Sequence, residues 1–213
     1  MSGGPQGFGL NERLAEAGLA PLNQAGEERF QRYLSLFIRW NERVSLSAVR
    51  DEQPILSRHF VESIYCARRL PAGISTLLDF GSGAGLPGIP ISLCRPEILV
   101  TLAESNGKKA AFLRECVRQL ELSAEVYDGR AELLTGHYGC VTMRAVDRMA
   151  EAVKAAAALV VPSGWLALLT TGADLDSLQA AAGAQFSWKN SFPLPGSRDR
   201  LLALGAKKIS SPA

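Results

Sequence analysis

The sequence predicts an α/β fold in which a small helical cap precedes a seven-stranded, mainly parallel sheet. Two observations lead to this prediction. From residue 74, short runs rich in β-forming residues alternate with helical segments, as in β-α-β units around a parallel sheet. Before residue 74 the hydrophobic pattern is helical. We therefore expect a disordered N terminus over 1–9, the cap over 10–73, the sheet domain over 74–208 and a tail over 209–213.

The periodicity of the cap predicts two long helices. Apolar residues recur at i, i+3, i+4, i+7 and i+8 and mark one face of a helix over about residues 24–43. They are Phe30, Tyr33, Leu34, Phe37 and Ile38. A later helix begins near Pro54, which suits a first helical turn, and ends at Arg69, before Pro71-Ala72-Gly73.

Seven strands and four helices are predicted after the cap. The strands lie near residues 74–80, 98–104, 123–128, 139–145, 164–170, 184–191 and 200–205. The helices lie near residues 87–94, 106–120, 148–160 and 174–182. The last two strands are joined only by residues 192–197, which is too short for a parallel crossover. These two strands must therefore form an antiparallel hairpin.

A glycine-rich turn follows the first strand. Gly81, Gly83 and Gly85 alternate directly after the apolar run 77–80. Glycine is needed where the backbone takes a positive φ, or where a Cβ would keep a ligand away from the peptide plane. Such a turn between a strand and a helix indicates a nucleotide-type cofactor. Glu104 ends the next apolar run, so its carboxylate lies at a neighbouring strand tip, where an acid binds a ribose diol.

Two cofactors compete for this turn. Gly83, Gly85 and Gly88 satisfy the G-x-G-x-x-G pattern of dinucleotide binding, which would make the protein an NAD-dependent oxidoreductase. Counted from the end of the strand, however, the pattern is G-x-G-x-G, and Pro87 and Pro90 remove N–H donors that a pyrophosphate would need. S-adenosylmethionine has no phosphate and is therefore favoured over NAD. A tight turn without a ligand is the third interpretation.

The composition favours a soluble, cytoplasmic protein that needs no metal or disulfide. Its four cysteines form no C-x-x-C pair, and neither a signal peptide nor a membrane-spanning run is visible. The net charge is only +2, but cationic residues collect near the carboxyl end. They are Lys189, Arg198, Arg200, Lys207 and Lys208. Such a run either contacts a nucleic acid or forms a solvated surface.

Several sequence blocks match one known family in order. They are Asn41-Glu42-Arg43, Arg58-His59-Phe60, Asp79 to Pro90, Lys108 to Arg114, Gly129-Arg130-Ala131-Glu132 and Arg144-Ala145-Val146. Over about residues 10–206 the chain resembles the bacterial RsmG family, also called GidB. The resemblance implies a class I methyltransferase fold, Rossmann-like, with an antiparallel terminal hairpin. It implies that residues 74–208 bind S-adenosylmethionine and that a methyl group passes to N7 of a guanine in 16S rRNA.

The resemblance also implies residue roles. Cofactor contacts fall on Gly81, Leu86, Ala131, Glu132 and Arg144, with Glu104 where an acid usually meets the ribose. The alternating glycine pattern adds Gly83 and Gly85 as cofactor contacts. We expect contacts to the substrate RNA from Lys108, Lys109, Arg198 and Arg200. The partner would be 16S rRNA or the small ribosomal subunit, and we expect a monomer. A solvated helix face is the alternative for Lys108 and Lys109.

Two side chains leave alternatives open. Arg144 ends an apolar strand and would bind the methionine carboxylate or an rRNA phosphate, or form a salt bridge to Asp147 or Glu132. His59 is expected to be a satisfied histidine of the cap. Guanine N7 already carries a lone pair, so direct displacement needs no proton removed first, and we expect no general base. Catalytic residues therefore stay unassigned.

The chain departs from the family pattern at three places that concern the substrate. Ser45-Leu46-Ser47 stands where the family commonly has Asn-Leu-Thr. Thr171 precedes a glycine where the family usually has a lysine, and Glu62 replaces the usual aspartate. Thr171 supplies no cation for a phosphate or a developing charge. A non-catalytic RNA-binding protein with this fold is therefore a further alternative to the methyltransferase.

Overall fold

A computed structural model describes residues 9–49 and 51–209 and contains one seven-stranded sheet. Its strands are β1 (Thr76–Phe80), β2 (Leu99–Glu104), β3 (Ala124–Asp128), β4 (Tyr138–Arg144), β5 (Val160–Thr171), β6 (Phe186–Pro193) and β7 (Arg200–Lys207). Their order across the sheet is β3-β2-β1-β4-β5-β7-β6. Neighbours among β1 to β5 pair in parallel, whereas β7 is antiparallel to both β5 and β6. The predicted seven strands and terminal hairpin are confirmed.

Eight α-helices and two short helical turns accompany this sheet in the described part of the chain. The helices are α1 (Leu10–Glu16), α2 (Gln24–Asn41), α3 (Glu52–Pro54), α4 (Val61–Arg69), α5 (Gly88–Cys94), α6 (Gly107–Gln119), α7 (Met149–Ala158) and α8 (Gly172–Ala182). A π-helical turn (Ile55–Phe60) joins α3 to α4, and a 3₁₀ turn (Ala131–Leu133) follows β3. Residues 1–8 and 210–213 of the predicted N terminus and tail lie outside the described residues.

The sheet separates two apolar layers, because successive side chains of a strand point to opposite faces. Leu77 packs with the cap helices, α5 and α6, whereas Leu78 packs with α7 and α8. The apolar stripe predicted on α2 faces the first layer, where Phe37 lies edge-on to Phe112 of α6 with ring centroids 6.4 Å apart. The cap therefore shares one continuous core with the sheet.

The fifth strand is longer than the sequence predicts. It begins at Val160 rather than near residue 164, and Val160 pairs with Tyr138 before the register shifts. Ser163 takes a φ of +63° within the strand, and a Cβ on Gly164 would lie 2.9 Å from the carbonyl oxygen of Gly139. The turn-forming residues Pro162-Ser163-Gly164 thus form an irregularity inside the strand instead of preceding it.

The helix predicted to begin near Pro54 starts two residues earlier and contains the π-helical turn. This turn carries Arg58 and His59, which both contact Arg144 at the end of β4. Such turns are often found at functional sites. Among the helices of residues 9–49 and 51–209, none combines the length and apolar character needed to cross a bilayer.

Candidate functional site

A cavity of about 790 Å³ lies at the carboxyl ends of β1, β2 and β4. This volume is within the usual range of small-molecule sites, and strand ends are the usual place for ligands in such sheets. One end, here called the glycine-loop end, is lined by Gly81, Gly83, Glu104, Ala131 and Glu132. The other, here called the arginine end, is lined by Leu46, Ser47, His59 and Arg144.

The three glycines predicted as cofactor contacts have different roles. Gly81, Gly83 and Gly85 all have positive φ values, of +72°, +57° and +83°. A Cβ on Gly83 would meet nothing closer than 3.9 Å, so its peptide plane is open to a ligand. A Cβ on Gly85 would collide with Ile89 and lie 3.1 Å from Leu113. Gly85 therefore permits close packing of the following helix and is not part of the cavity lining, and its contact with the cofactor stays a prediction.

Asp79, a buried residue of β1, holds the glycine loop in place through hydrogen bonds. Its side chain accepts hydrogen bonds from the Thr142 hydroxyl at 2.8 Å and the Gly88 N–H at 3.2 Å, and the Ser82 hydroxyl donates to its main-chain carbonyl at 2.9 Å. Burial raises the pKa of Asp79 to about 6. The carboxyl is thus a structural support for the loop.

Tyr33 ties the same loop to the cap. Its hydroxyl is fully buried and donates to the carbonyl oxygen of Ala84 at 2.6 Å. A buried carbonyl that loses its donor costs about 1–3 kcal/mol. Leu86, which was predicted as a cofactor contact, also lines the cavity just after this point. The cap thereby helps to set the shape of the loop.

Glu104 presents a fixed carboxylate at the tip of β2. One oxygen accepts the Gly83 N–H at 2.8 Å and the other accepts the Asn106 N–H at 2.7 Å. An ionised carboxylate has about four acceptor positions, so each oxygen keeps one for a ligand hydroxyl. The geometry suits the ribose diol for which the sequence proposed this residue.

Ala131 and Glu132 border the same end from the 3₁₀ turn after β3. Ala131 is buried, and Glu132 forms a partly exposed ion pair with Arg130 at 3.6 Å. The small side chain at 131 leaves room beside the glycine loop. Both predicted positions therefore face the cavity.

Arg144 dominates the arginine end. Its Nη2 lies 3.2 Å from Glu62 Oε2 and 2.9 Å from His59 Nδ1, and it also donates to the Arg58 carbonyl at 3.2 Å. The alternative that Arg144 forms a salt bridge to Asp147 or Glu132 is wrong, because its ion pair is with Glu62. The partner is instead a carboxylate on α4, 82 residues earlier in the chain.

Glu62 joins two arginines. It is fully buried, and its Oε1 accepts hydrogen bonds from Arg200 Nε at 3.0 Å and Nη2 at 2.6 Å. Arg200 was predicted to contact RNA phosphates; its Nε and Nη2 are paired with Glu62, and the RNA contact stays a prediction. Arg200 also lies opposite Thr171 in the β5–β7 register. A cation therefore lies beside Thr171, the position at which the family usually has a lysine. The Thr171 hydroxyl accepts the Asp174 N–H at 3.3 Å and caps α8.

His59 is neutral and hydrogen-bonded at both nitrogens. Burial, reinforced by the positive charges of Arg144, Arg58 and Arg200, lowers the pKa of His59 to about 3. Its Nδ1 faces Arg144, and its Nε2 lies 3.2 Å from the Ser47 hydroxyl oxygen. The ring is satisfied, as the sequence predicts, yet it also lines the cavity.

The cations around the cavity differ in part from those predicted. Lys109 lines it, Lys108 is exposed beside it, and Arg198 is exposed in the β6–β7 turn and lies away from the lining. Arg130 and Arg148 also line it, with exposed side chains, but were not among the predicted RNA contacts. Both arginines follow the carboxyl end of a strand, where ligands bind in such sheets, and this position could have predicted them as RNA contacts from the sequence.

Comparisons with known proteins agree with this geometry. Residues 26–192 match the family model of GidB, the rRNA small subunit methyltransferase G. A protein of that name from Stenotrophomonas maltophilia (strain R551-3) is 45% identical over 160 residues, which cover 74% of this chain and 73% of the relative. Its namesake from Xanthomonas euvesicatoria pv. vesicatoria (strain 85-10) is 45% identical over 138 residues, which cover 63% of this chain and 64% of the relative. The second match thus spans less than two thirds of the relative's length.

Solved structures with low sequence identity share the fold. A predicted O-methyltransferase from Agrobacterium tumefaciens aligns with a TM-score of 0.58 at 22% identity, over 70% of this chain and 81% of that one. The glycopeptide N-methyltransferase MtfA, complexed with S-adenosylmethionine, aligns with a TM-score of 0.56 at 12% identity, over 71% of this chain and 94% of that one. The fold is therefore that of class I methyltransferases, and the chain belongs to the rRNA small subunit methyltransferase G (GidB) family.

Proposed function

We propose that this protein transfers a methyl group from S-adenosylmethionine to N7 of a guanine in 16S rRNA, either free or within the small ribosomal subunit. The observation that carries the proposal is one cavity, in a chain of this family, that joins a cofactor-type glycine loop to an end lined by hydrogen-bonding side chains. The first end suits a nucleoside and the second suits a base.

The glycine-loop end fits the cofactor. The open peptide plane at Gly83 accommodates a ligand that a Cβ would obstruct, and Glu104 keeps acceptor positions for the ribose hydroxyls. Ala131 and Glu132 would border the adenine, and Arg144 offers positive charge for the methionine carboxylate. S-adenosylmethionine supplies an electrophilic methyl group on its sulfonium sulfur when bound.

The side chains of the cavity position the reactants and do not remove a proton. Guanine N7 presents its lone pair in the ring plane. Aligning N7 with the methyl group and the sulfur is therefore the main way in which the protein lowers the activation barrier of methyl transfer. His59 lies nearby, but Arg144 occupies its acceptor nitrogen and its pKa is about 3, so it is no general base. The chemistry therefore depends on geometry rather than on acid–base residues.

Substrate RNA would meet the cavity at a basic rim, defined here as Lys109, Arg130 and Arg148. All three line the cavity, and phosphate contacts release counterions and make binding salt-dependent. Lys108 and Arg198 extend this charge as exposed neighbours. We expect replacement of both Arg130 and Arg148 by Ala to reduce the slope of log K against log salt by about 1.4 in magnitude, given ~0.7 per phosphate contact for single strands. Replacing Arg118, an exposed residue of α6 outside the rim, is the matched control, and equal slopes in both variants would argue against the rim.

The activity is tested by methyl transfer from labelled S-adenosylmethionine to free 16S rRNA, assembled small subunits and tRNA. We expect label in a ribosomal substrate, as N7-methylguanine, and none in tRNA. Binding of cofactor and RNA without transfer would indicate the non-catalytic RNA-binding alternative. Calorimetric binding of NAD with no response to S-adenosylhomocysteine would indicate the oxidoreductase.

We further propose that the protein acts as a monomer in the cytoplasm, where ribosomal RNA is the substrate. The apolar surface supports this, because only three large hydrophobic side chains of the described residues are strongly exposed, and they are far apart in sequence. They are Leu99, Leu133 and Ile209. Light scattering coupled to size exclusion measures the mass directly, and a stable dimer would contradict the proposal.

A further inference from the structure

We propose that the Ser47 hydroxyl is held as an obligate hydrogen-bond donor and selects guanine by donating to its O6 atom. Ser47 lines the arginine end of the cavity, on the segment between α2 and α3. The proposal rests on the function proposed above, because it concerns the base that occupies this end. It assigns a specificity residue to a segment in which the sequence departs from the family pattern.

Arg144 determines which atom donates in the hydrogen bonds that connect it to His59 and His59 to Ser47. A guanidinium has only donors, so the 2.9 Å contact makes His59 Nδ1 an acceptor that carries no proton. A neutral imidazole then carries its proton on Nε2. Nε2 lies 3.2 Å from Ser47 Oγ and therefore donates to it. Glu62 keeps Arg144 in place from the far side at 3.2 Å.

The acceptor positions of Ser47 are thereby filled from within the protein. Its oxygen receives the His59 Nε2 proton and also the Val49 N–H at 3.1 Å. A hydroxyl has two acceptor lone pairs and one proton, so only its own proton is left to bond a further group. Within residues 9–49 and 51–209 this proton has no hydrogen-bond partner once His59 is the donor. The hydroxyl faces the cavity as a donor.

The segment that carries Ser47 is fixed independently by Asn41. The Asn41 Oδ1 accepts the N–H groups of Leu46 at 2.9 Å and Ser47 at 3.0 Å, and its Nδ2 donates to the Val49 carbonyl at 3.1 Å. Three hydrogen bonds from one side chain close this turn. The hydroxyl is therefore preorganised before a substrate arrives, which favours discrimination between similar ligands.

A fixed donor at this position distinguishes guanine from adenine. The edge that presents N7 carries the O6 acceptor in guanine and the N6 amino donor in adenine. A hydroxyl that only donates pairs with O6, whereas it would meet another donor in adenine. Because O6 and N7 share that edge, the same contact also orients N7 towards the transferred methyl group.

The test compares two RNA substrates that differ at the methylated nucleotide, which carries either guanosine or 2-aminopurine riboside. 2-Aminopurine keeps N7 but has no O6. We expect wild-type protein to have a kcat/KM about tenfold lower on the 2-aminopurine RNA, and Ser47→Ala to lower kcat/KM about tenfold on the guanosine RNA, as for the loss of one hydrogen bond. Ser47→Ala has no further effect on the 2-aminopurine RNA, because the partner atom is already missing.

Two variants serve as controls for this cycle. Ser47→Thr keeps the hydroxyl and restores the rate on the guanosine RNA, and Ser45→Ala changes an exposed serine of the same segment and leaves both rates unchanged. Equal losses of Ser47→Ala on both RNAs would mean that Ser47 only supports the turn and would overturn the proposal. So would a wild-type protein that methylates both RNAs equally well, a result that needs no variant to fold. Absence of transfer by wild type to any RNA would instead refute the function proposed above.

Discussion

The two ends of the cavity are built from different parts of the chain. The glycine-loop end consists mainly of main-chain groups of one short turn, held by the Glu104 carboxylate on the Gly83 N–H. The arginine end consists of side chains that are distant along the chain, and Glu62 on α4 joins Arg144 on β4 to Arg200 on β7. The first end depends on local backbone conformation, whereas the second depends on long-range packing.

This difference decides how each end responds to substitution. A backbone site tolerates changes around it but not a side chain within it, because the ligand and a Cβ compete for the same space. A buried ionic network tolerates no loss of a partner, because the remaining charge stays buried without compensation. We therefore expect binding defects without unfolding at the first end, and unfolding at the second.

Replacing Gly83 by Val should have the largest effect on cofactor binding. Gly83 has a φ of +57° and faces open cavity space, so the valine side chain would fill the ligand site. We expect S-adenosylhomocysteine affinity to fall at least about 100-fold by calorimetry, since a steric clash removes the bound geometry altogether. Gly73→Val is the matched control, because Gly73 has a φ of +81° and nothing within 4 Å of its Cβ, but lies outside the cavity. A normal affinity for Gly83→Val would show that the cofactor does not use this loop.

Replacing Glu62 by Gln should have the largest effect on stability. Arg144 and Arg200 would lose the buried carboxylate that both contact, and breaking such a buried pair costs about 3 kcal/mol or more in the free energy of unfolding. Asp128→Asn, which breaks a partly exposed pair with Arg114, should cost less than about 1 kcal/mol. Urea unfolding measures both. Equal losses in the two variants would contradict the distinction drawn between the ends of the cavity.

The sequence predicted the glycine-loop end well for a physical reason. The carboxyl ends of adjacent parallel strands share one edge of the sheet, so Gly81 and Glu104 meet once the strands are placed. The roles of Gly83 and Gly85 could not be separated in this way. Both have positive φ, and only the position of Ile89 and Leu113 makes one face the core while the other faces the cavity.

The arginine end was beyond sequence reasoning because its contacts are distant along the chain. Glu62 is 82 residues from Arg144 and 138 residues from Arg200. The acids considered for Arg144, Asp147 and Glu132, are close in sequence, but the tip of β4 faces α4 instead. Local patterns predict helices and strands, but they do not specify which helix crosses which strand tip.

Replacing Tyr33 by Phe should have a smaller effect, at the junction of the cap and the glycine loop. The change removes only the hydroxyl that donates to the Ala84 carbonyl at 2.6 Å, and leaves that carbonyl buried without its partner. We expect the free energy of unfolding to fall by about 1–2 kcal/mol and cofactor affinity to fall several-fold. Tyr65→Phe is the control, because Tyr65 is 8% exposed against 0% for Tyr33, and its hydroxyl reaches solvent and makes no hydrogen bond within the described residues. Unchanged affinity in Tyr33→Phe would mean that the cap does not shape the loop.

The two ends should also differ in how their contributions to the free energy of unfolding depend on pH. The pKa of His59 is lowered to about 3 from its ordinary 6.5, so its contribution to stability is fully present above pH 6.5 and is lost as the pH falls towards 3. The pKa of Asp79 is raised to about 6 from 3.8, so its contribution is fully present below pH 3.8 and is lost as the pH rises through 6. Between pH 4 and pH 6 the His59 contribution to the free energy of unfolding therefore increases with pH, while the Asp79 contribution decreases.

Single replacements at the two ends should therefore change the slope of the free energy of unfolding against pH in opposite directions. Asp79→Asn removes the falling contribution, so its free energy of unfolding should rise with pH by about 1 kcal/mol per pH unit relative to wild type between pH 4 and pH 6. His59→Gln removes the rising contribution, so its free energy should fall by about the same amount per pH unit. Urea titrations at half-unit intervals measure these slopes, and every other ionisable group contributes equally to all three proteins. Slopes parallel to wild type in both variants would mean that neither group changes its proton binding on folding, and would remove the electrostatic contrast between the two ends of the cavity.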